Sequence, residues 1–219
     1  MSEQNGQEQP KATPVAVQIV GGIRPSARKP EHRRVLEAAA AKIDAGLKLL
    51  DERRHEQALV CFQDGLKVFQ QLVNEGHHEC VGDVALAQHY VGEVFFYTGK
   101  FEECIAANEV AIRLWRDLVA SGNLAFADDI GYPLSAKAHA LFRLHRFDDA
   151  LKVVDDSIRA LRLALATAPN PTTTRDLATV INLRGHILAR LGRIQESAQS
   201  CREAAQLRDG VDGGKPRES

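Results

Sequence analysis

The side chains most able to do chemistry are clustered in two places. His77, His78, Glu79 and Cys80 are contiguous, and His89 follows shortly after. Imidazole, carboxylate and thiolate all bind zinc. A zinc site needs such ligands spaced so that they converge, and no second Cys/His pair follows at a useful distance. The stretch therefore reads as a polar loop between helices. Cys104, preceded by Glu102 and Glu103, is the second candidate. A nucleophilic thiol needs a lowered pKa, and adjacent carboxylates raise it. There is no Gly-rich phosphate loop, no Gly-x-Ser-x-Gly and no His-Glu-x-x-His. Gly21-Gly22 is too short for a nucleotide site. No catalytic residue, metal or cofactor is assigned. A small metal-dependent enzyme stays as an alternative resting on residues 77–80 alone.

The chemistry must then lie in what the elements present rather than in a reaction. Of the 219 residues, 44% are hydrophobic and 26% charged, enough apolar content to bury a core. A net charge of −1 gives no global field toward nucleic acid or an anionic membrane, so neither is an expected partner. No apolar run is long enough to span a bilayer. Glu3 and Glu8 replace the basic start of a secretory signal. Cys61, Cys80, Cys104 and Cys201 have no paired spacing and read as reduced thiols, so the expected compartment is the cytoplasm.

Residues 1–30 are rich in Gln, Glu, Pro, Gly and Lys and read as a flexible arm. Within them Val15-Ala16-Val17-Gln18-Ile19-Val20 is β-prone. It is either a loosely packed piece of the arm or a linear motif that pairs with a sheet edge or folds into the protein's own groove. Residues 31–208 read as helix after helix. Breaks are expected at Gly76-His77-His78, Ser121-Gly122-Asn123 and Ala168-Pro169-Asn170-Pro171. Pro133 and Pro171 can open helices, and Thr172-Thr173-Thr174 offers capping hydroxyls. Residues 209–219 read as a flexible tail.

The helical region repeats itself. A small residue opens the second helix of each pair at Ala58, Cys104, Ala150 and Ser197, at spacings of 46, 46 and 47 residues. Seven residues on stands another: Gly65, Ala111, Ser157 and Ala204. Twelve before the first stands Gly46, Gly92, Ala138 or Gly185, followed after three residues by Leu49, Phe95, Leu141 or Leu188. An apolar plug, Phe101, Phe147 or Ile194, precedes the small residue in three copies, and His55 takes its place in the first. Small residues on facing helices let backbones approach, and large ones fill the space beside them. One such pair cannot bury its apolar faces alone, so several must stack into a solenoid.

This small-large-small-small pattern resembles the tetratricopeptide repeat (TPR) family, from about Glu31 to Arg208. The departures are Lys42, Gln88, Leu134 and Ile181 in place of the family's aromatic, no closing proline, and a period near 46 rather than about 34. The longer period is similar to kinesin-light-chain-type and bacterial TPR arrays, and it implies a longer second helix and longer joining loops. The resemblance implies an all-α, right-handed α-α superhelix, a TPR solenoid of four helix pairs with flexible termini.

In TPR proteins the first helix of each pair lines a concave groove. Counted onto this chain, the resemblance places Ile43, Leu47, Leu50 and Asp51 in the groove of repeat 1. Repeat 2 adds Leu86, His89, Glu93, Phe96 and Tyr97. Repeat 3 adds Tyr132, Ser135, His139, Phe142 and Arg143, and repeat 4 adds Asn182, His186, Ala189 and Arg190. The candidate partner-binding set is His89, Glu93, Phe96, Tyr97, Tyr132, His139, Phe142, Arg143, Asn182, His186 and Arg190. Aromatic and arginine side chains are the usual anchors of binding surfaces. The expected partner is a peptide or helix of another protein, apolar with an acidic end. The alternative is that these aromatics pack between repeats and the arginines are solvated. The Lys/Asn set with which some TPR domains hold a terminal carboxylate is not reproduced, since Glu93 and His139 stand where asparagine is needed. The expected function is therefore a non-enzymatic adaptor. A self-assembling scaffold, joined through the last repeat as a homo-oligomer, is the structural alternative.

Basic residues also recur at the turns: Arg53-Arg54, Lys100, Arg143 with Arg146, and Arg190 with Arg193. They offer an edge for an acidic partner or an RNA backbone, or they answer the negative ends of the first helices.

Overall fold

The computed structural model describes residues 30–212. The expected arm with its VAVQIV segment, and the residues after 212, lie outside the described residues. Eight α-helices follow in order: α1 (Pro30–Asp51), α2 (His55–Asn74), α3 (Val81–Tyr97), α4 (Phe101–Ala120), α5 (Gly131–Arg143), α6 (Phe147–Thr167), α7 (Pro171–Arg190) and α8 (Ile194–Asp212). Short 3-10 turns at His78–Cys80, Leu124–Phe126 and Asp128–Ile130 lengthen two of the joins. There is no strand among the described residues. The last helix passes the expected boundary at 208, because Gly210 continues the helix instead of turning left-handed.

Each helix is amphipathic for its place. In α6, Ala150, Val154, Ser157, Ile158, Leu161 and Ala164 are buried, a single stripe at helical spacing. α3 lies between α2 and α4 and is apolar on most sides, burying Val84, Ala85, Ala87, Tyr90, Val91 and Val94. Within each pair the small residues do what their spacing implied. A Cβ added at Gly46 would lie 2.5 Å from the Phe62 ring, one at Gly92 2.4 Å from the Asn108 amide, and one at Gly185 2.7 Å from the Cys201 sulfur.

The four turns inside the pairs are the same structure. Arg53, Gly99, His145 and Gly192 all have positive φ, at 59°, 77°, 59° and 76°. In each, two N–H groups reach back to the end of the preceding helix. Gly99 N–H donates to Phe96 O at 3.1 Å and Lys100 N–H to Phe95 O at 2.8 Å, and the pairs at 53/54, 145/146 and 192/193 repeat this. These are Schellman caps. The third join between pairs is built differently. Asn170, not the threonines, caps α7: its Oδ1 accepts from Thr172 N–H at 2.8 Å, with Pro171 at the first helical position.

Consecutive helices pack on one another all along the chain. The odd-numbered helices also meet directly, α3 on α5 and α5 on α7, whereas the long Arg162 side chain of α6 bridges out to Glu203 of α8. The odd-numbered helices are thus the inner layer of a curved solenoid. Its core falls into two main clusters, one in repeats 1 and 2 and one in repeats 3 and 4, with a smaller cluster around Trp115. Two cross-repeat ion pairs hold equivalent positions: Lys137 to Glu109 and Arg184 to Asp155, both at 2.7 Å.

Candidate functional site

Each junction between repeats carries a contact of one planar group over a ring or plug in the same register. Tyr97 at the end of α3 lies on His55 at the start of α2, with centroids 5.5 Å apart and planes 14° from parallel. One repeat on, the Arg143 guanidinium lies 4.7 Å from the Phe101 ring centre. One further, Arg190 lies 5.1 Å from that of Phe147. A planar group from each inner helix therefore sits on the plug of the preceding repeat. Delocalised guanidinium makes such a contact as readily as an aromatic ring does. Phe96 and Phe142 flank the same plugs, at 5.6 Å from Phe101 and 5.6 Å from Phe147. The expected aromatics thus take part in packing between repeats, but Phe96, Tyr97 and Phe142 stay partly open to solvent and Arg143 and Arg190 are exposed.

The inner face brings together Phe96, Tyr97, His139 and Arg143 around Phe101. His139 meets the Phe96 ring edge-on at 6.1 Å. Its Nδ1 is 3.0 Å from Ser135 O, and burial pushes its pKa down, with His186 nearby adding to the fall. In repeat 4, Asn182 and His186 are hydrogen-bonded to each other at 3.0 Å. Tyr132 is apart from these groups. It lies at the opposite end of its helix beside Thr173 and Asp176, and burial raises its hydroxyl pKa.

His89 does not line the groove. It is 1% exposed and belongs to the interior of the α3–α4 pair. Asn108 Nδ2 donates to Cys104 O at 2.9 Å, which leaves Asn108 Oδ1 to accept from His89 Nδ1 at 2.8 Å. That bond protonates Nδ1 and leaves Nε2 bare. Gly92, without a Cβ, makes room for the Asn108 amide. The other repeats place Ile43, Ser135 and Asn182 at the register of His89, opposite Phe62, Val154 and Cys201. Burial drives the His89 pKa down to about 4, so the ring is neutral.

Glu93 is on the inner face, partly exposed, with its carboxyl recessed among apolar atoms. Burial first, and the Asp51 charge second, push its pKa up to about 8. The Tyr97 hydroxyl rises to about 12 through burial, with Glu93 and Asp51 both contributing, so these three groups share one patch.

The two reactive-looking stretches behave as packing. Cys104 is fully buried, and its thiol is pushed up to about 12 by burial, with Glu93 adding to it; Glu102 and Glu103, the expected cause, play no part. His77 and Glu79 form a 3.4 Å contact in the 3-10 turn, and the buried Cys80 follows. Among the described residues no group of three or more His, Cys, Asp or Glu is placed to hold a metal ion. No described helix is long and apolar enough to cross a membrane. The basic turn residues are largely paired locally: Arg54 with Glu52, Arg146 with Asp149 and Arg193 with Glu196.

Sequence reading missed the part played by five residues. His55, Phe101 and Phe147 are platforms for the stacks, signalled by their constant distance from Tyr97, Arg143 and Arg190. Asn108 stands where other repeats carry Phe62, Val154 or Cys201, a polar intrusion in an apolar register. Asp176 is 92% removed from solvent, with Oδ2 unpartnered and its pKa raised to about 6 by burial.

No family model and no curated protein matches the chain in sequence. Among solved structures, BtubC (BKLC) from P. vanneervenii superposes with a TM-score of 0.65 at 14% identity, over 83% of this chain and 67% of that one. A de novo designed helical repeat protein (TM-score 0.37, 18% identity, 84% and 95% covered) and a Podosopora anserina kinesin light chain with nearly identical TPR-like repeats (0.36, 10%, 84% and 97%) are looser matches. The likeness is one of fold. The described residues form an all-helical repeat solenoid of four stacked pairs.

Proposed function

We propose that the inner face holds a peptide or helix of another protein, and that the chain is a non-enzymatic adaptor of the cytoplasm. The observation that supports this is the state of Arg143 and Arg190. Each guanidinium rests over an aromatic plug, beside a partly open Phe96 or Phe142, with no carboxylate partner among the described residues. A side chain already held in place loses less freedom on binding, so its contacts count for more. Apolar rings beside fixed guanidiniums suit a segment with an apolar stretch and an acidic end. Replacing Phe96 and Phe142 together by Ser should abolish capture of the native partner while leaving the helical circular dichroism unchanged. Capture at the wild-type level by that variant would end this reading.

A second reading has its own support. Ile194 is 64% exposed at the plug position, where Phe101 and Phe147 each receive an arginine from the next repeat. Stacking of another copy on α8 would cover it. The mass in solution decides this: a monomer at every concentration ends the scaffold reading.

A further inference from the structure

The inner face changes charge along its length, and the change follows the repeat register. At the ends of the inner helices successive repeats present Asp51, Tyr97, Arg143 and Arg190. One turn earlier they present Leu47, Glu93, His139 and His186. The first row passes from acidic in repeat 1 to basic in repeats 3 and 4.

These charges are unlike their neighbours. Just off the inner face, Glu52 is paired with Arg54, Asp149 with Arg146, Asp155 with Arg184 and Glu196 with Arg193. Asp51, Glu93, Arg143 and Arg190 have no ion-pair partner among the described residues. Burial first, and the Asp51 charge second, keep the Glu93 carboxyl protonated. The Arg143 and Arg190 guanidiniums lie over their plug rings, with no carboxylate paired to them among the described residues. Glu93 is also flanked by Phe96 and Tyr97, which stand in edge-to-face contact 5.8 Å apart. The Asp51 carboxylate and the ring faces beside it attract a cation by charge and by the ring quadrupole, and a cation seated there favours ionisation of Glu93 as well. Guanidinium forks match carboxylates.

We infer that the inner face takes a partner segment of split charge, with a basic side chain at Asp51 and Glu93 and carboxylates at Arg143 and Arg190. Apolar side chains between them rest on Phe96 and Phe142. This rests on the groove reading above and adds to it the basic end and the order of charges. Packed helices lie about 8–10 Å apart, so about three residues of extended chain cover one repeat. About nine residues then span the patch. Wrongly placed like charges are penalised, so the order selects partners as well as holding them.

Four fluorescein-labelled nonapeptides with one leucine core test this by anisotropy on the full chain at low ionic strength. One carries lysines at one end and glutamates at the other; the rest carry lysine, glutamate or glutamine at both ends. The split-charge peptide should bind at least about tenfold more tightly than the others. Asp51→Asn with Glu93→Gln should erase its advantage over the all-glutamate peptide. Arg143→Gln with Arg190→Gln should erase its advantage over the all-lysine one. Equal binding of the split-charge and all-glutamate peptides overturns the charge order. If Phe96→Ser with Phe142→Ser then abolishes that binding, the groove reading survives alone. Failure of all four peptides to bind, or binding insensitive to the two phenylalanines, overturns both.

Discussion

Repeats 2 and 3 face each other across the junction where the two main apolar clusters part. They share one backbone plan: the same left-handed turn, the same plug and the same stack onto the preceding repeat. Their interiors differ. Repeat 2 sets Gly92 against Asn108 and buries His89; repeat 3 sets Ala138 against Val154, with Ser135 at the histidine's register. Their inner faces differ too, Glu93 and Tyr97 against His139 and Arg143. The geometry of the repeat is thus held by a few positions, and the remainder are free to take different chemistry. A buried polar pair is tolerated in repeat 2 because each hydrogen-bonding group but His89 Nε2 finds a partner, and a glycine supplies the space.

Transplanting one interior into the other gives the largest expected effect. Gly92→Ala alone should cost about 2–3 kcal/mol in urea denaturation, because its Cβ collides with the Asn108 amide. Adding His89→Ser and Asn108→Val, which reproduces repeat 3, should recover all but about 1 kcal/mol. Failure to recover would mean the two interiors are not interchangeable.

The next effect is in pH. His89 has a folded pKa of about 4 against an ordinary 6.5, so below pH 6.5 protons bind the unfolded chain first. Its contribution to stability is intact above pH 6.5 and falls by up to about 3 kcal/mol as pH drops to 4. Glu93 and Asp176, with raised values, act in the opposite sense, so the test is the difference between wild type and the triple variant across pH 4 to 7. That difference should shrink toward acid and change sign before pH 4. Glu93→Gln reports on the inner face of the same repeat. The folded carboxyl is neutral up to about pH 8 while the unfolded one ionises from 4.5. The variant should therefore be more stable by roughly 1–2 kcal/mol at pH 8, and equal to wild type below pH 4.5. A melting temperature that shifts equally at both pH values would refute the assignment.

The smallest effect compares the turns. His145→Gly in repeat 3 relieves a left-handed non-glycine residue and should raise stability by about 0.5 kcal/mol; Gly99→Ala in repeat 2 should lower it by about 1 kcal/mol. Thermal melts of the two variants should move in opposite directions.

The array itself was legible because its cause is periodic. Small residues recurring at 46, 46 and 47 residues have one simple use, close packing of helix pairs, and the pairs formed at those positions. The inner face was half legible. Counting along a helix puts Phe96, Tyr97, Arg143 and Arg190 on one side. It does not show that Arg143 and Arg190 would lie over rings 42 and 43 residues earlier, because that contact crosses repeats. His89 was misplaced for a related reason. A helix face is broad, and whether a residue at its edge turns inward depends on the partner helix, here on Asn108 nineteen residues later. Asn170 won the α7 cap over the threonines because Pro171 fixes the start of the helix one residue after it.

The stacks join every repeat to the next at the inner rim, while the outer helices are spread apart. In an elastic body bent into a coil, straightening strains the inside of the curve most. Pulled from its ends, this solenoid should extend by opening Tyr97 from His55, Arg143 from Phe101 and Arg190 from Phe147 before any helix pair comes undone. A segment bound across those same rims would shorten the coil's reach and stiffen it, so the spring constant of the array becomes a property its partner can set.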